Sequence, residues 1–189
     1  MNQILVTNYH NHKKILKIQF ISSIIITVFL VIYNFSIIYN KNKKENLSKN
    51  LLNSFNISLL YSNNNNYITS KNSNVFSVIG VINIEKLKIT YPIIDIINDD
   101  LLKISPCRFY GPDPNNPGNL CIAAHNYNDT RFFSKISTLK YGDIVNIVDL
   151  SGISVSYYVY KSYETDSNDT TCVSQDTNRT KRNNPHYLQ

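Results

Sequence analysis

The residue best placed to do chemistry is His125. It ends the apolar stretch Leu120-Cys121-Ile122-Ala123-Ala124 and opens the polar run Asn126-Tyr127-Asn128-Asp129. An imidazole changes charge near neutral pH, and a strand end is where a rigid scaffold presents a catalytic side chain. General acid–base transfer is the expected chemistry, and it needs a nucleophile within hydrogen-bond reach. Three cysteines must be weighed for that role. Cys121 shares a strand face with His125, but four residues of extended chain put it about 13 Å away. Cys107, beside Pro106, reads as a small buried hydrophobe. Cys172, in Asp169-Thr170-Thr171-Cys172, lies among Asp, Asn, Ser and Thr residues without strand alternation and reads as a loop residue. An oxidising compartment would allow one disulfide among the three, with its pairing left open. No His/Asp/Glu cluster has metal-ligand spacing, so neither a metal nor another cofactor is expected.

Positioning His125 falls to a β-rich domain, assigned to residues 74–189. Val75 to Ile84 is β-branched with partial alternation and reads as a strand. Ile89 to Ile94 reads as a second, which Pro92 should confine to an edge or a strand end. Asn98 caps a short helix that runs to Ile104, with Asp99 and Asp100 suited to its N-terminus. Gly111 to Gly118 is a turn-rich loop, and Leu120 to His125 a short strand. Phe132, Phe133, Ile136 and Leu139 have helical spacing. Tyr141-Gly142-Asp143 then turns into a strand over 144–150, and Ser151-Gly152 turns back into a strand over 153–163, a hairpin. Thr180 to Gln189 has no strand pattern.

Ahead of the domain, residues 18–39 (IQFISSIIITVFLVIYNFSIIY) contain no charge. Such a helix is about 30 Å long, the hydrocarbon thickness of a bilayer. An uncleaved transmembrane anchor fits better than a signal peptide, since Ile37-Ile38-Tyr39 is not a small-x-small cleavage site. Residues 1–17 form a tail and residues 40–73 a polar stalk, in which Leu47, Leu51, Leu52 and Phe55 suggest a short amphipathic helix. Lysines flank the anchor on both sides, so the positive-inside comparison does not orient it. Through Lys71 there are eight lysines against one acid; beyond it eleven Lys/Arg face twelve Asp/Glu. The domain is thus nearly neutral, which argues against nucleic acid as a partner and assigns the basic flanks to lipid headgroups. Asn128-Asp129-Thr130 and Asn168-Asp169-Thr170 match glycosylation acceptors, but so asparagine-rich a sequence supplies such triplets by chance.

Gly118 to Asn126, followed by Phe132-Phe133 and Leu139-Lys140-Tyr141-Gly142-Asp143, resembles the sortase family, the cysteine transpeptidases that attach proteins to Gram-positive cell walls. Ile79-Gly80-Val81-Ile82-Asn83-Ile84 and Tyr91-Pro92-Ile93 are similar to the family's opening strands. Two positions depart from the pattern: Ala124 replaces a glycine and Glu85 a proline. The resemblance implies a mainly β fold, an eight-stranded β-barrel with two short helices behind one N-terminal transmembrane helix. It also implies a Cys-His-Arg site. The thiolate attacks an LPxTG-type sorting signal, the histidine protonates the leaving amine and later deprotonates the acceptor, and the arginine holds the oxyanion. His125 is the implied acid–base. The implied partners are sorting-signal peptides of surface proteins, a cell-wall precursor or pilin amine, and the membrane, with the domain on the extracellular side.

The implied cysteine belongs to a Thr-Leu-x-Thr-Cys strand roughly sixty residues after the histidine. The tail Thr180 to Gln189 can be encoded as ACA AAA AGA AAT AAC CCT CAT TAC TTG CAA. Deleting one A from its adenine run gives Thr-Lys-Glu-Ile-Thr-Leu-Ile-Thr-Cys, with the cysteine at the position of Leu188. A one-base shift is therefore expected to have removed the last two barrel strands, with the Cys and Arg they carry. Such a chain would be inactive. Two other readings compete: a non-catalytic, membrane-anchored surface domain that binds peptides, and a cysteine peptidase using Cys172, His125 and Arg182.

Overall fold

A computed structural model describes residues 2–62, 76–166, 168–175 and 186–188. The chain divides into two compact units, Met1–Lys43 and Lys44–Gln189. Helix α1 covers Asn2–Ser62. In the first unit its apolar side chains point outward on every side: Ile18, Phe29 and Phe35 are each at least two-thirds exposed. Three polar side chains there bond to carbonyls of the same helix. Ser22 donates to the Gln19 carbonyl, Thr27 to Ser23 and Asn34 to Leu30, as a low-dielectric surrounding demands. The most apolar window has a mean hydropathy of 2.4, and by length and composition this helix can cross a membrane.

The second unit is built on one sheet. Its strands are β1 (Val78–Ile84), β2 (Ile89–Ile94), β3 (Cys107–Tyr110), β4 (Cys121–Ala123), β5 (Ile144–Asp149), β6 (Ser154–Val159) and β7 (His186–Leu188), in the order β4-β3-β2-β1-β5-β6-β7. Helix α2 (Asp99–Leu102) joins β2 to β3, and the Asn98 side chain accepts from the Asp100 and Leu101 amides. The main core gathers Ile79, Ile82, Ile84, Ile89, Ile93, Leu139, Val145, Ile147 and Val159. A second cluster joins Ile94, Leu101 and Cys107 to Leu51 of α1.

Several expectations need correction. Pro92 is neither at an edge nor at a strand end, since β2 lies between β1 and β3. It is tolerated because β3 pairs with β2 only at Ile94↔Cys107, and the Pro92 carbonyl accepts from the Ser105 hydroxyl (2.5 Å) instead. Residues 132–139 do not form a helix with an apolar face; only Ile136–Thr138 makes a 3-10 turn. Phe132 has φ +49° and bridges Asn126, a geometry closed to helix. The last long strand stops at Val159, where β5 has run out at Ile144↔Tyr158 and the 142–143 turn takes over the Val159 amide and carbonyl. Strand β3 was not legible in CRFY, which does not alternate. The sheet is mixed, with parallel pairs β2–β3 and β6–β7. The mainly β fold is the one expected, and the sheet is open, as a barrel short of its last two strands would be: among the described residues β4 and β7 do not pair with each other.

The tail shows a further difference. Residues 186–188 pair with Tyr157–Val159 of β6, because backbone groups at a sheet edge can recruit a strand without side-chain alternation. Residues 176–185 and 189, where most of the shifted-frame reading falls, lie outside the described residues.

Candidate active site

His125 follows β4, two residues beyond Ala123. Its carbonyl accepts from the Phe133 amide (3.3 Å), and the Asn126↔Phe132 bridge folds the loop back beside it. This brings rings together that the sequence separates. The Tyr127 ring lies 4.9 Å from the imidazole and 5.7 Å from Phe132, and Phe132 lies 4.9 Å from Tyr91 of β2. Arg131 stands over the Tyr127 ring at 4.2 Å. Asp129 orients that guanidinium, accepting from its Nε at 2.8 Å and from the Arg131 amide at 2.9 Å. The imidazole is thus set in an aromatic wall with a neutralised cation behind it.

One atom of this arrangement is unsatisfied. His125 Nε2 is buried and has no hydrogen-bond partner among the described residues. A buried ring nitrogen left unpaired costs about 1–3 kcal/mol, so it marks a position where a partner group is expected to arrive.

None of the three cysteines meets it. Cys107 is fully buried, bonded to the Ser105 carbonyl (3.4 Å), and burial, with a smaller push from the Asp95 charge, raises its thiol to about 11. That is an inert structural thiol, as its neighbours Ile94, Leu101 and Leu51 imply. Cys121 heads β4 and Cys172 lies in the short 3-10 turn Thr171–Val173. The Cys121 thiol donates to the Cys172 carbonyl (3.2 Å). Both cysteines therefore gather at the start of β4, while His125 lies past its end. Among the described residues no group of three or more His, Cys, Asp or Glu side chains could hold a metal ion.

The sequence singled out His125 but not Tyr127, Asp129 or Arg131. A run of Asn, Asp and Tyr reads as loop, and the only available signal was an arginine six residues past the histidine and two past an aspartate.

The site is thus an imidazole presented just past the edge strand of an open β-sheet. A sortase-domain model matches residues 82–185, which include β2 through β6 and His125, and the chain belongs to the sortase family. Among solved structures, a Clostridium perfringens sortase D5 transpeptidase is 24% identical over 70% of this chain and 84% of its own, with a TM-score of 0.56. That likeness establishes a shared, sortase-like fold. Clostridium perfringens sortase C, solved in complex with a C-terminal cell-wall sorting signal motif, is 23% identical over 71% of this chain and 69% of its own, with a TM-score of 0.47. Sortase A from Corynebacterium diphtheriae (a lid mutant) is 19% identical over 45% of this chain and 47% of its own, with a TM-score of 0.40. No curated protein matches the chain.

Proposed function

We propose that this protein is a membrane-anchored, sortase-type transpeptidase whose acid–base is His125. Its substrate is an LPxTG-like cell-wall sorting signal, and its acceptor is a cell-wall precursor or pilin amine. The observation that carries this reading is His125 Nε2, which is buried, without a partner among the described residues, and within the segment that the sortase model matches. Residues 18–39 form the anchor, with the N-terminus cytoplasmic and the domain outside.

The nucleophile is the cysteine that the shifted frame encodes at the position of Leu188, because the Cys107 thiol is buried in a separate cluster and Cys121 and Cys172 meet at the start of β4, away from the end that leads to His125. In the frame as given Leu188 takes the place of that thiol, and transfer activity is expected to be lost with it. The test incubates the full chain in detergent with an LPxTG-type peptide and an amine acceptor, and follows ligated product by mass spectrometry. No product is expected from this sequence. The frame-corrected protein is expected to turn over, and His125→Ala in it to lose about 10²–10⁴-fold. Turnover by the chain as it stands would overturn the frame assignment, and its loss in Cys172→Ala would transfer the nucleophile's role to Cys172. An inactive but folded corrected protein would overturn the transpeptidase reading.

A further inference from the structure

The segment after β6 does not wander off the domain. It is tied to the start of β4 by a compact set of bonds around two residues, Asn119 and Cys172. Asn119 Nδ2 donates to the Cys172 carbonyl (2.7 Å) and the Ser174 carbonyl (3.1 Å). The Gln175 side chain returns the contact, accepting from the Asn119 amide (3.0 Å) and donating to its carbonyl (2.9 Å). Into this knot the Cys121 thiol donates its own bond, to the Cys172 carbonyl at 3.2 Å. Burial pushes the Cys121 thiol up, with a smaller push from the Cys172 thiol. Both cysteines are half-buried rather than sealed, so a small reagent can reach them. Cys107 is excluded from the pair by complete burial in a separate cluster.

We propose that Cys121 and Cys172 are a disulfide-forming pair, and that the bond locks the segment after β6 onto the strand that leads to His125. The thiols are free in this structure. The oxidant is a disulfide donor, either a small-molecule disulfide or a dithiol oxidase outside the cytoplasm; only the second source rests on the extracellular placement argued above. One cysteine, as thiolate, attacks the donor disulfide and releases one donor thiol. The second cysteine then attacks the mixed disulfide and releases the other. Two protein S–H bonds are lost and one S–S bond forms, while the donor is reduced to two thiols. The closed loop spans residues 121–172, long enough for the cross-link to constrain the unfolded chain strongly.

The experiment treats the full chain in detergent with oxidised glutathione, blocks remaining thiols under denaturing conditions, and maps the tryptic peptides without reduction. Trypsin cuts after Arg108 and Lys161, so the three cysteines fall on separate peptides. The expected result is one cross-linked peptide holding Cys121 and Cys172, loss of two hydrogens, and alkylation confined to Cys107. Oxidation should raise Tm by on the order of 5–15 °C, reversed by dithiothreitol and absent in both Cys121→Ser and Cys172→Ser. Three alkylated thiols, stable glutathione adducts without ring closure, links between chains, or a link to Cys107 would each overturn the pairing. No transferase activity enters these readouts, so failure of the pair is distinguishable from failure of the transpeptidase reading.

Discussion

At the scale of single residues, burial decides what each polar or sulphur atom can do. The Cys107 thiol, raised from 9.0 to about 11 chiefly by burial and then by the Asp95 charge, is neutral in the folded protein. Its unfolded counterpart ionises near 9, so its share of stability is intact below that pH and is lost as pH rises through 11. Denaturant midpoints measured from pH 8 to 11 should therefore fall more steeply for the native sequence than for Cys107→Ala. The phenols of Tyr91 and Tyr157, also raised by burial, leave a common slope above pH 10 in both proteins. Ser48 presents the opposite case. Its hydroxyl is buried on α1 with no partner among the described residues, so Ser48→Ala should stabilise by up to about 1 kcal/mol, read as a higher Tm. The place of His125 just past a strand end and the burial of Cys107 were legible in sequence, because a strand end and a flanking proline are local signals. The wall around His125 was not. It depends on Phe132 adopting φ +49°, a conformation that phenylalanine rarely takes and only tertiary packing can impose.

At the scale of elements, the loop that precedes β4 is held to the hairpin by the Asn115 side chain. Asn115, itself at φ +62°, donates to the carbonyls of Ile147 and Ile153 and to the Asp149 carboxylate, and accepts from the Tyr157 hydroxyl. It thereby staples the loop over 111–118 to the β5–β6 hairpin. Gly80 makes room for this, since a Cβ there would meet the Val148 carbonyl at 2.6 Å and Pro114 at 3.0 Å. Asn115→Ala should cost about 2–3 kcal/mol in denaturant unfolding, through lost bonds and a strained φ together. Asn115→Asp, which keeps the oxygen but not the donors, should recover only part of it. The loop's existence was written in its prolines and glycines, as were β1, β2, the Asn98 cap and the hairpin, in β-branched runs and turn residues. What stayed illegible was long-range: which strand covers Pro92, why β6 stops at Val159, and that CRFY is recruited as β3. Each is settled by the partner strand's length, which no local window contains. The segment after β6 belongs with these. Its Asp169 carboxylate accepts from the Thr165 hydroxyl and the Thr171 amide, bonds that hold it down to about 2. A depressed carboxylate stabilises above its ordinary value and loses that contribution as pH falls through the folded one. Amide exchange at Thr171 should therefore show its protection weakening between pH 4 and 2.

At the scale of the whole molecule, the residues after the apolar segment 18–39 are more than a spacer. Within the unit that begins at Lys44, Leu51 and Phe55 are 8% and 4% exposed, and Leu51 packs on Ile94, Leu101 and Cys107. The side chains that suggested an amphipathic helix in a stalk thus cover the seam between β2, α2 and β3, the seam that fixes where β4, and so His125, begins. Burying a leucine and a phenylalanine contributes roughly 1.5–3 kcal/mol each, a large share of a small domain's net stability. Chains beginning at Lys44 and at Phe76 should therefore differ. The first should unfold cooperatively, while the second should show a lower Tm and bind a hydrophobic dye at the uncovered Leu101–Cys107 patch. Leu51→Ala in the full chain should cost about 2–4 kcal/mol, whereas Asn50→Ala, on the exposed face of the same helix, should cost almost nothing. Equal stability of the two shortened chains, or equal effects of the two substitutions, would mean that the helix lies on the domain without supporting it. The predicted difference would instead make the helical residues from Lys44 onward part of the domain, because Leu51 closes the second core on which the start of β3 depends.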